Sequence, residues 1–424
     1  MQPEMQELLV RTGPGTPMGE LMRRYWIPAL LSREIADPDC PPIRVKLLGE
    51  RLLALRDSNG RAGIIGEFCA HRGTSLFFGR NEECGIRCSY HGWKYDLDGN
   101  CIDLPQQPSY APEIKLTAYP CVEQGGVVWV YMGPPARRPE PPALEWSLLP
   151  DTHAYVSRRW QECNWMQALE GAIDSSHVSF VHRYEMDFDP MHDTAAGRKY
   201  LKADPSPIFD VRQSDAGLTI LTRRNGDADT YYWRITQFIM PWYTFIPPFG
   251  DHALGAHAFV PMDDENCWTW NINYYADKPL DEVQLKAMKD GKGIHGQVLS
   301  GTLRAVANRD NDYLIDRAGQ KDRRSFSGVI GFAIQDSSLQ ESMGPIQDRT
   351  QEHLVPTDRA IVVARNRLAD AARALRESQA EPPGVRADDQ RLRAGSTLLG
   401  RDRPIEQWYR DALAARPDNP IYTV

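Results

Sequence analysis

Two Cys-His pairs, Cys69-x-His71 and Cys88-x-x-His91, flank sixteen intervening residues in "CAHRGTSLFFGRNEECGIRCSYHGWKYD". If both pairs serve one prosthetic group, two short loops must be held at the same end of a rigid scaffold. The flanking chain suits that demand. From 43 to 135 it consists of short alternating or apolar runs ("IRVKLLG", "RLLALRD", "AGIIGEF", "GVVWVYM") separated by "DSNG", "LDGN" and "EQGG" turns, the pattern of a small antiparallel β domain. A helix is expected from Thr16 to about Tyr25, broken by Pro28.

Mixed ligation is the informative part of the motif. Zinc ribbons usually take Cys-x-x-Cys pairs, and a zinc site remains the alternative reading. A 2Fe-2S centre with two cysteines on one iron and two histidines on the other needs one of each per loop. The eight cysteines are too few for a disulfide scaffold in 424 residues. The stretch resembles the Rieske domain of aromatic ring-hydroxylating oxygenases. On that resemblance Cys69 and Cys88 hold one iron, and His71 and His91 hold the solvent-facing iron. Tyr90 stands where high-potential Rieske proteins carry a disulfide cysteine, and Trp93 where they carry a serine that hydrogen-bonds sulfur. Fewer such bonds imply a lower potential.

The rest of the chain reads as a second, α+β domain. "MGPPARRPEPPALEW" holds five prolines in fifteen residues, which suits a stiff connector, so the boundary is expected near 150: 1–150 for the cluster domain and 151–424 for the other. Beyond it, "CNWMQALEGAIDSSHVSFVH" has helical character, and "GLTILTRR", "YYWRITQFIMPWYTFI" and "CWTWNINYY" are strand-like. A charged helix is expected at about 279 to 290. "TDRAIVVARNRLADAARALRES" sets Ile361, Val362, Ala364, Leu368, Ala371, Ala372 and Leu375 close to one face, with arginines elsewhere, as in a long amphipathic helix. The family fold implied is an antiparallel sheet covered by helices, of helix-grip or START type.

In "EGAIDSSHVSFVH", Asp174 and His177 are one helical turn apart, whereas His182 falls about 140° from His177. The helix must end or unwind before His182 if both imidazoles bind one ion. The run resembles the Asp-x-x-His-x-x-x-x-His motif of the same oxygenases, whose histidines bind a mononuclear non-haem iron. A carboxylate would complete a facial triad with open positions for dioxygen and substrate. Spacing leaves several carboxylates open in "NRDNDYLIDR" and "IQDSSLQESMGP". The resemblance selects Asp336, followed five residues on by Glu341, with Asp312 and Asp316 behind it. It also makes Asp174 an electron-transfer bridge that joins His177 to the Rieske His91 of a neighbouring subunit, which implies a homotrimer or a dimer of trimers.

The resemblance covers nearly the whole chain and is greatest to the phthalate dioxygenase branch. It implies a terminal oxygenase that uses O2, a Rieske 2Fe-2S cluster and mononuclear Fe(II), fed from NAD(P)H by a separate reductase. The implied substrate is an aromatic carboxylate, such as a phthalate, chlorobenzoate or phenoxybenzoate. Arg234, Arg198 and Ser175 are candidate substrate residues, since guanidinium matches carboxylate geometry. Trp233, Phe238, Trp242, Tyr243 and Phe245 are candidate pocket aromatics. An aryl-ether O-demethylase or monooxygenase of the same superfamily is the second enzyme reading, and a Rieske electron carrier with a ligand-binding second domain is the alternative of another class. Net charge of -8 with no basic block argues against nucleic acid, and no apolar run is long enough for a membrane span. The N-terminus lacks a signal-peptide pattern, so a cytoplasmic location is expected.

Overall fold

Strands buried on both faces build one large antiparallel sheet in the second half of the chain. The computed structural model describes residues 1–424. Its main sheet runs Ala154–Gln161, Cys267–Tyr274, Leu254–Pro261, Tyr243–Ile246, Thr230–Ile239, Gly217–Asn225 and Ile208–Gln213 in order, with Gly395–Gly400 added along the first half of Thr230–Ile239. Ile208 to Tyr274 is a meander of hairpins, and Ala154–Gln161 closes the far edge. Helices Trp165–Ile173, Phe332–Ser342 and Arg359–Ser378 accompany this sheet, so the α+β class holds.

The N-terminal part is all-β apart from three short α-helices, Pro3–Val10, Pro17–Met22 and Glu145–Leu148, and several 3-10 turns. Trp26–Leu31 pairs with Val127–Tyr131, a four-stranded sheet contains Ile43–Leu47, and a second contains the cluster-loop strands Arg80–Glu82, Gly85–Arg87, Lys94–Tyr95 and Cys101–Asp103. The helix expected to reach Tyr25 stops earlier, as Pro17–Met22, capped by Thr16 Oγ1 accepting from Gly19 N–H at 3.2 Å. Pro28 lies inside a strand, and the register shifts between Pro28 and Leu30 because proline has no N–H for the ladder. Pro3–Val10 is a further helix that sequence reading did not anticipate. No helix is long and apolar enough to cross a membrane.

One core of 59 buried residues joins Leu9, Leu21 and Trp129 to Trp165, Leu169 and Leu368. A smaller core, built around Leu53, Ile65 and Tyr95, sits beneath Cys69 and Cys88. The long helix buries Ala364, Leu368, Ala372 and Leu375 as its spacing predicts, while Val362 is exposed. Its Arg365 departs from the expected polar face and is buried. The cause is Glu170 on the Trp165–Ile173 helix, whose carboxylate accepts from Arg365 Nε at 2.7 Å and from Arg349 Nε and Nη2 at 3.1 and 3.0 Å. The terminal amine of Met1 donates to Arg349 O at 2.8 Å, and Arg365 also grips Glu352. This network fixes the helix that leads into the Asp174 turn.

Glu170→Ala leaves Arg349 buried without a carboxylate and Arg365 with Glu352 alone, and is expected to destabilise the protein by about 3–5 kcal/mol. The exposed Arg61–Asp98 pair provides the control, and Arg61→Ala is expected to change stability by under about 1 kcal/mol. Chemical denaturation of both variants checks the difference.

Candidate metal centres and cavity

Both cluster loops fold the same way. Cys69 N–H donates to Thr74 O while Gly73 N–H returns to Cys69 O, and Cys88 N–H donates to Trp93 O while Gly92 N–H returns to Cys88 O. Gly73 and Gly92 sit at φ +72° and +79°, where a side chain is strained, so glycine closes each loop. The loops turn Cys69 and Cys88 inward, 3% and 2% exposed, and His71 outward. The two imidazoles face each other through Nδ1 atoms 3.1 Å apart, and His71 stacks on Trp93.

Two buried thiols beneath two facing ring nitrogens fit a mixed Cys2His2 iron–sulfur group. No cysteine is in a disulfide, in keeping with Tyr90 standing in place of a disulfide cysteine. One contact was not foreseen: the Tyr95 hydroxyl lies 3.3 Å from Cys69 Sγ. It is a hydrogen-bond partner for sulfur supplied from a strand rather than from the Trp93 position.

The second constellation forms where the Trp165–Ile173 helix ends. Asp174 caps that terminus and accepts from the backbone N–H of Ser176 at 2.7 Å and of His177 at 3.3 Å. The helix therefore stops before His177, earlier than the spacing required, and a short turn carries the chain to His182. Asp336 arrives from the Phe332–Ser342 helix. His182 Nε2 is 3.1 Å and His177 Nε2 3.6 Å from Asp336 Oδ1, and the ligand atoms of the three lie within 4.8 Å of one another. Burial pushes the Asp336 carboxyl up, but the His182 and His177 imidazoles outweigh it and hold it at about 2.

Two nitrogens and one carboxylate oxygen converging on a single point fit a divalent metal with open positions. His182 Nδ1 pairs with Gln335 Oε1 at 2.8 Å, and Gln335 Nε2 donates onward to Val329 O at 2.9 Å. That chain orients the ring so that Nε2 faces Asp336. His177 Nδ1 is buried without a hydrogen-bond partner, and the Asp174 carboxylate stands 3.7 Å away, beyond bonding distance. Asp174 thus makes its hydrogen bonds inside its own turn. The alternatives fall elsewhere: Asp316 caps a helix at Gly319 N–H, and Asp312 is exposed in a loop at φ +49°.

A cavity opens beside these residues, between one face of the sheet and the two helices. Alternate strand positions line it: Arg159 and Gln161, Gly255, His257 and Phe259, Asn271 and Asn273, Arg234 and Thr236. The helices add Ala168, Ala172, Phe332 and Asp336. Arg234 is 2% exposed and donates from Nη2 to Pro247 O, leaving Nε without a partner. Arg159 likewise has Nε and Nη1 unpartnered. Burial lowers both guanidinium pKa values, and no carboxylate pairs with either.

Other expected substrate contacts are arranged differently. Arg198 is not among the cavity residues; it donates to Ala195 O and Met186 O and pairs with Asp187. Ser175 reaches the cavity, but its oxygens accept from Arg224. None of Trp233, Phe238, Trp242, Tyr243 and Phe245 lines it. On Thr230–Ile239 the residues facing the cavity are Arg234 and Thr236, so Trp233 points to the opposite side, and Phe238 joins the main core. Phe249, Phe259 and Phe332 supply the aromatic walls instead. Sequence reading missed Arg159, His257 and Gln335. The alternation in "SRRWQ" pointed to the first, and Gln335 directly precedes Asp336.

The Rieske [2Fe-2S] domain family matches residues 25–120, and the LigXa C-terminal domain like family matches 130–392. The chain is 39% identical to the 3-chlorobenzoate-3,4-dioxygenase oxygenase subunit of Comamonas testosteroni, over 96% of this chain and 97% of that one. It is 34% identical to the phthalate 4,5-dioxygenase oxygenase subunit of Pseudomonas putida, over 100% of both. Among solved structures, dicamba monooxygenase bound to 3,6-dichlorosalicylic acid shares the fold at TM-score 0.59 and 16% identity, covering 84% of this chain and 98% of that one.

Burial pushes His257 down to about 4 and His252 and His295 down to about 3. The unfolded chain binds protons at these histidines near 6.5, where the folded chain refuses them. Their stability contribution is complete above pH 6.5 and is lost as pH falls toward 4 and then 3. The thermal midpoint is expected to decline across that window, with a shallower slope in His295→Asn; a flat profile between pH 6.5 and 4 contradicts it.

Proposed function

The chain belongs to the Rieske non-haem iron oxygenases as an oxygenase subunit, and we propose that its substrate is an aromatic carboxylate of the benzoate or phthalate kind. When bound, the family's 2Fe-2S cluster and mononuclear iron supply one-electron transfer and dioxygen activation, with electrons from a reductase that oxidises NAD(P)H. In our assignment Cys69, Cys88, His71 and His91 hold the cluster, and His177, His182 and Asp336 hold the mononuclear iron. The division at residue 150 belongs to the same assignment.

The observation that carries the substrate reading is the pair of buried guanidiniums, Arg159 and Arg234, that line the Asp336 cavity with no carboxylate partner. A buried cation without its counter-charge is expensive to keep, and an incoming carboxylate offsets that cost. Phe249, Phe259 and Phe332 offer apolar contact to an aromatic ring. Arg159 and Arg234 bind and orient the anion, while the ring excludes water from the Asp336 side. The two relatives, both named as dioxygenases of aromatic acids, favour insertion of both oxygen atoms over one.

In this reading the two metal centres work together between subunits of a cytoplasmic homotrimer. His71 is exposed, and Phe68, Phe78 and Tyr90 form an exposed apolar rim around the cluster loops. Phe180 and Phe188 are similarly exposed beside the Asp174–His182 turn. Two such surfaces on one chain suit head-to-tail contact, in which Asp174 of one subunit faces His91 of the next.

Oxygen uptake with a reductase present, measured across phthalates, chlorobenzoates, phenoxybenzoates and methoxybenzoates, tests the substrate reading. Uptake is expected with at least one aromatic acid and to fall by about 10-fold or more for its methyl ester. Equal uptake with the ester, or uptake with neutral aromatics alone, overturns it.

A further inference from the structure

His192 in the cavity wall and the buried Asp189 behind it are left unused by the metal and arginine assignments. Asp189 is 3% exposed, and its carboxylate accepts from the backbone N–H of Met191 and Gly293, both at 2.9 Å, and from His192 Nδ1 at 3.1 Å. A carboxylate fixed by two backbone amides places the proton of His192 on Nδ1 and holds the ring in one orientation. His192 lines the cavity, and its Nε2 has no hydrogen-bond partner in the protein. The neighbouring imidazole is different. His252 donates from Nδ1 to Ala253 O and accepts at Nε2 from Phe249 N–H, so neither of its nitrogens is free.

The position of His192 links the two ends of the cavity. Its ring stacks on Phe249 at 4.9 Å between centroids, and the Arg234 guanidinium lies 5.7 Å from the same Phe249 ring. On its other side His192 meets Phe332 at 5.0 Å, and Phe332 packs on His182 at 4.7 Å. Guanidinium, aromatic, imidazole, aromatic and metal-side imidazole therefore follow one another. A ring substrate between Arg234 and Asp336 passes His192.

We propose that His192, oriented by Asp189, is a specificity-determining residue whose Nε2 shares a proton with a carboxyl oxygen of the substrate alongside Arg234. The inference rests on the aromatic-carboxylate reading above. Asp189 holds the Nδ1 proton and leaves the unpartnered Nε2 facing the cavity, where the aromatic acid brings the proton that Nε2 and the carboxyl oxygen share. Asp189 is a positioning residue, acting through His192. A carboxamide brings neither an acidic proton nor a charge to that bond, so the pair discriminates acid from amide.

Steady-state oxygen uptake by the holoenzyme with its reductase decides the matter, using a turned-over aromatic acid and its carboxamide, with 3-chlorobenzoate and 3-chlorobenzamide as the first probes. In His192→Asn the side-chain amide keeps the donor to Asp189 and loses the atom at Nε2. KM for the acid is expected to rise about 10- to 100-fold with kcat nearly unchanged and the acid-to-amide preference correspondingly reduced. His192→Gln, whose amide reaches the Nε2 position, is expected to restore part of the loss. Asp189→Asn should weaken the preference in the same direction and still bind iron.

Visible absorption of the cluster and iron content establish that each variant is folded. If His192→Asn is not, the Gln and Asp189→Asn variants decide by the same ratio. Unchanged preference in the folded variants overturns this role for His192 while the carboxylate reading stands. A loss confined to kcat and equal for acid and amide overturns it too. If the wild-type enzyme itself does not distinguish acid from amide, the carboxylate reading fails and this inference fails with it.

Discussion

The contact between Asp336 and His182, 3.1 Å across more than 150 residues of sequence, is the point on which the catalytic half of the molecule depends. It forms because two helices present their ends to one place. The Trp165–Ile173 helix stops at Asp174, which turns the chain so that His177 and His182 lie close together. The Phe332–Ser342 helix brings Asp336 and, one residue earlier, the Gln335 amide that holds His182 in the required orientation. The buried Glu170, Arg349 and Arg365 network fixes the first of these helices, so a charged cluster remote from His177, His182 and Asp336 still sets their geometry.

Around that contact the cavity maintains an imbalance of charge. Arg159 and Arg234 keep unpartnered N–H groups in a buried setting, and burial keeps His252 and His257 neutral. Asp336 is committed to the histidines. Asp174 is held in its own turn, and Asp189, behind the cavity wall, is committed to His192 and two backbone amides. Positive charge without a resident counter-ion is a design for an anion that comes and goes, and the aromatic walls give that anion a ring.

Much of the first half was legible because its chemistry is local. Each Cys-His pair and its glycine lie within six residues, so loop shape and ligand type could be read from a short stretch. His177 and His182 were legible for the same reason. Asp336 is not fixed by spacing, because a carboxylate brought to His177 and His182 across the fold depends on how helices pack; only the resemblance to a family selects it. The pocket aromatics were misassigned because "YYWRITQFIMPWYTFI" offers apolar residues on both faces of a buried strand, and composition does not say which face meets the cavity. Arg234 and Thr236 do, which turns Trp233 away. Arg365 lies off the apolar face in the sequence pattern, and helical periodicity cannot foresee the buried Glu170 that draws it in.

Two separate iron centres in one chain are proposed, the second of them resting on His177, His182 and Asp336. Iron and acid-labile sulfide counted in the purified protein beside His182→Ala test this most directly. About three irons and two sulfides per chain are expected in the wild type, with the variant losing about one iron while keeping both sulfides and its visible spectrum. A wild type with about two irons, or a variant that loses its sulfide together with its iron, would contradict the account.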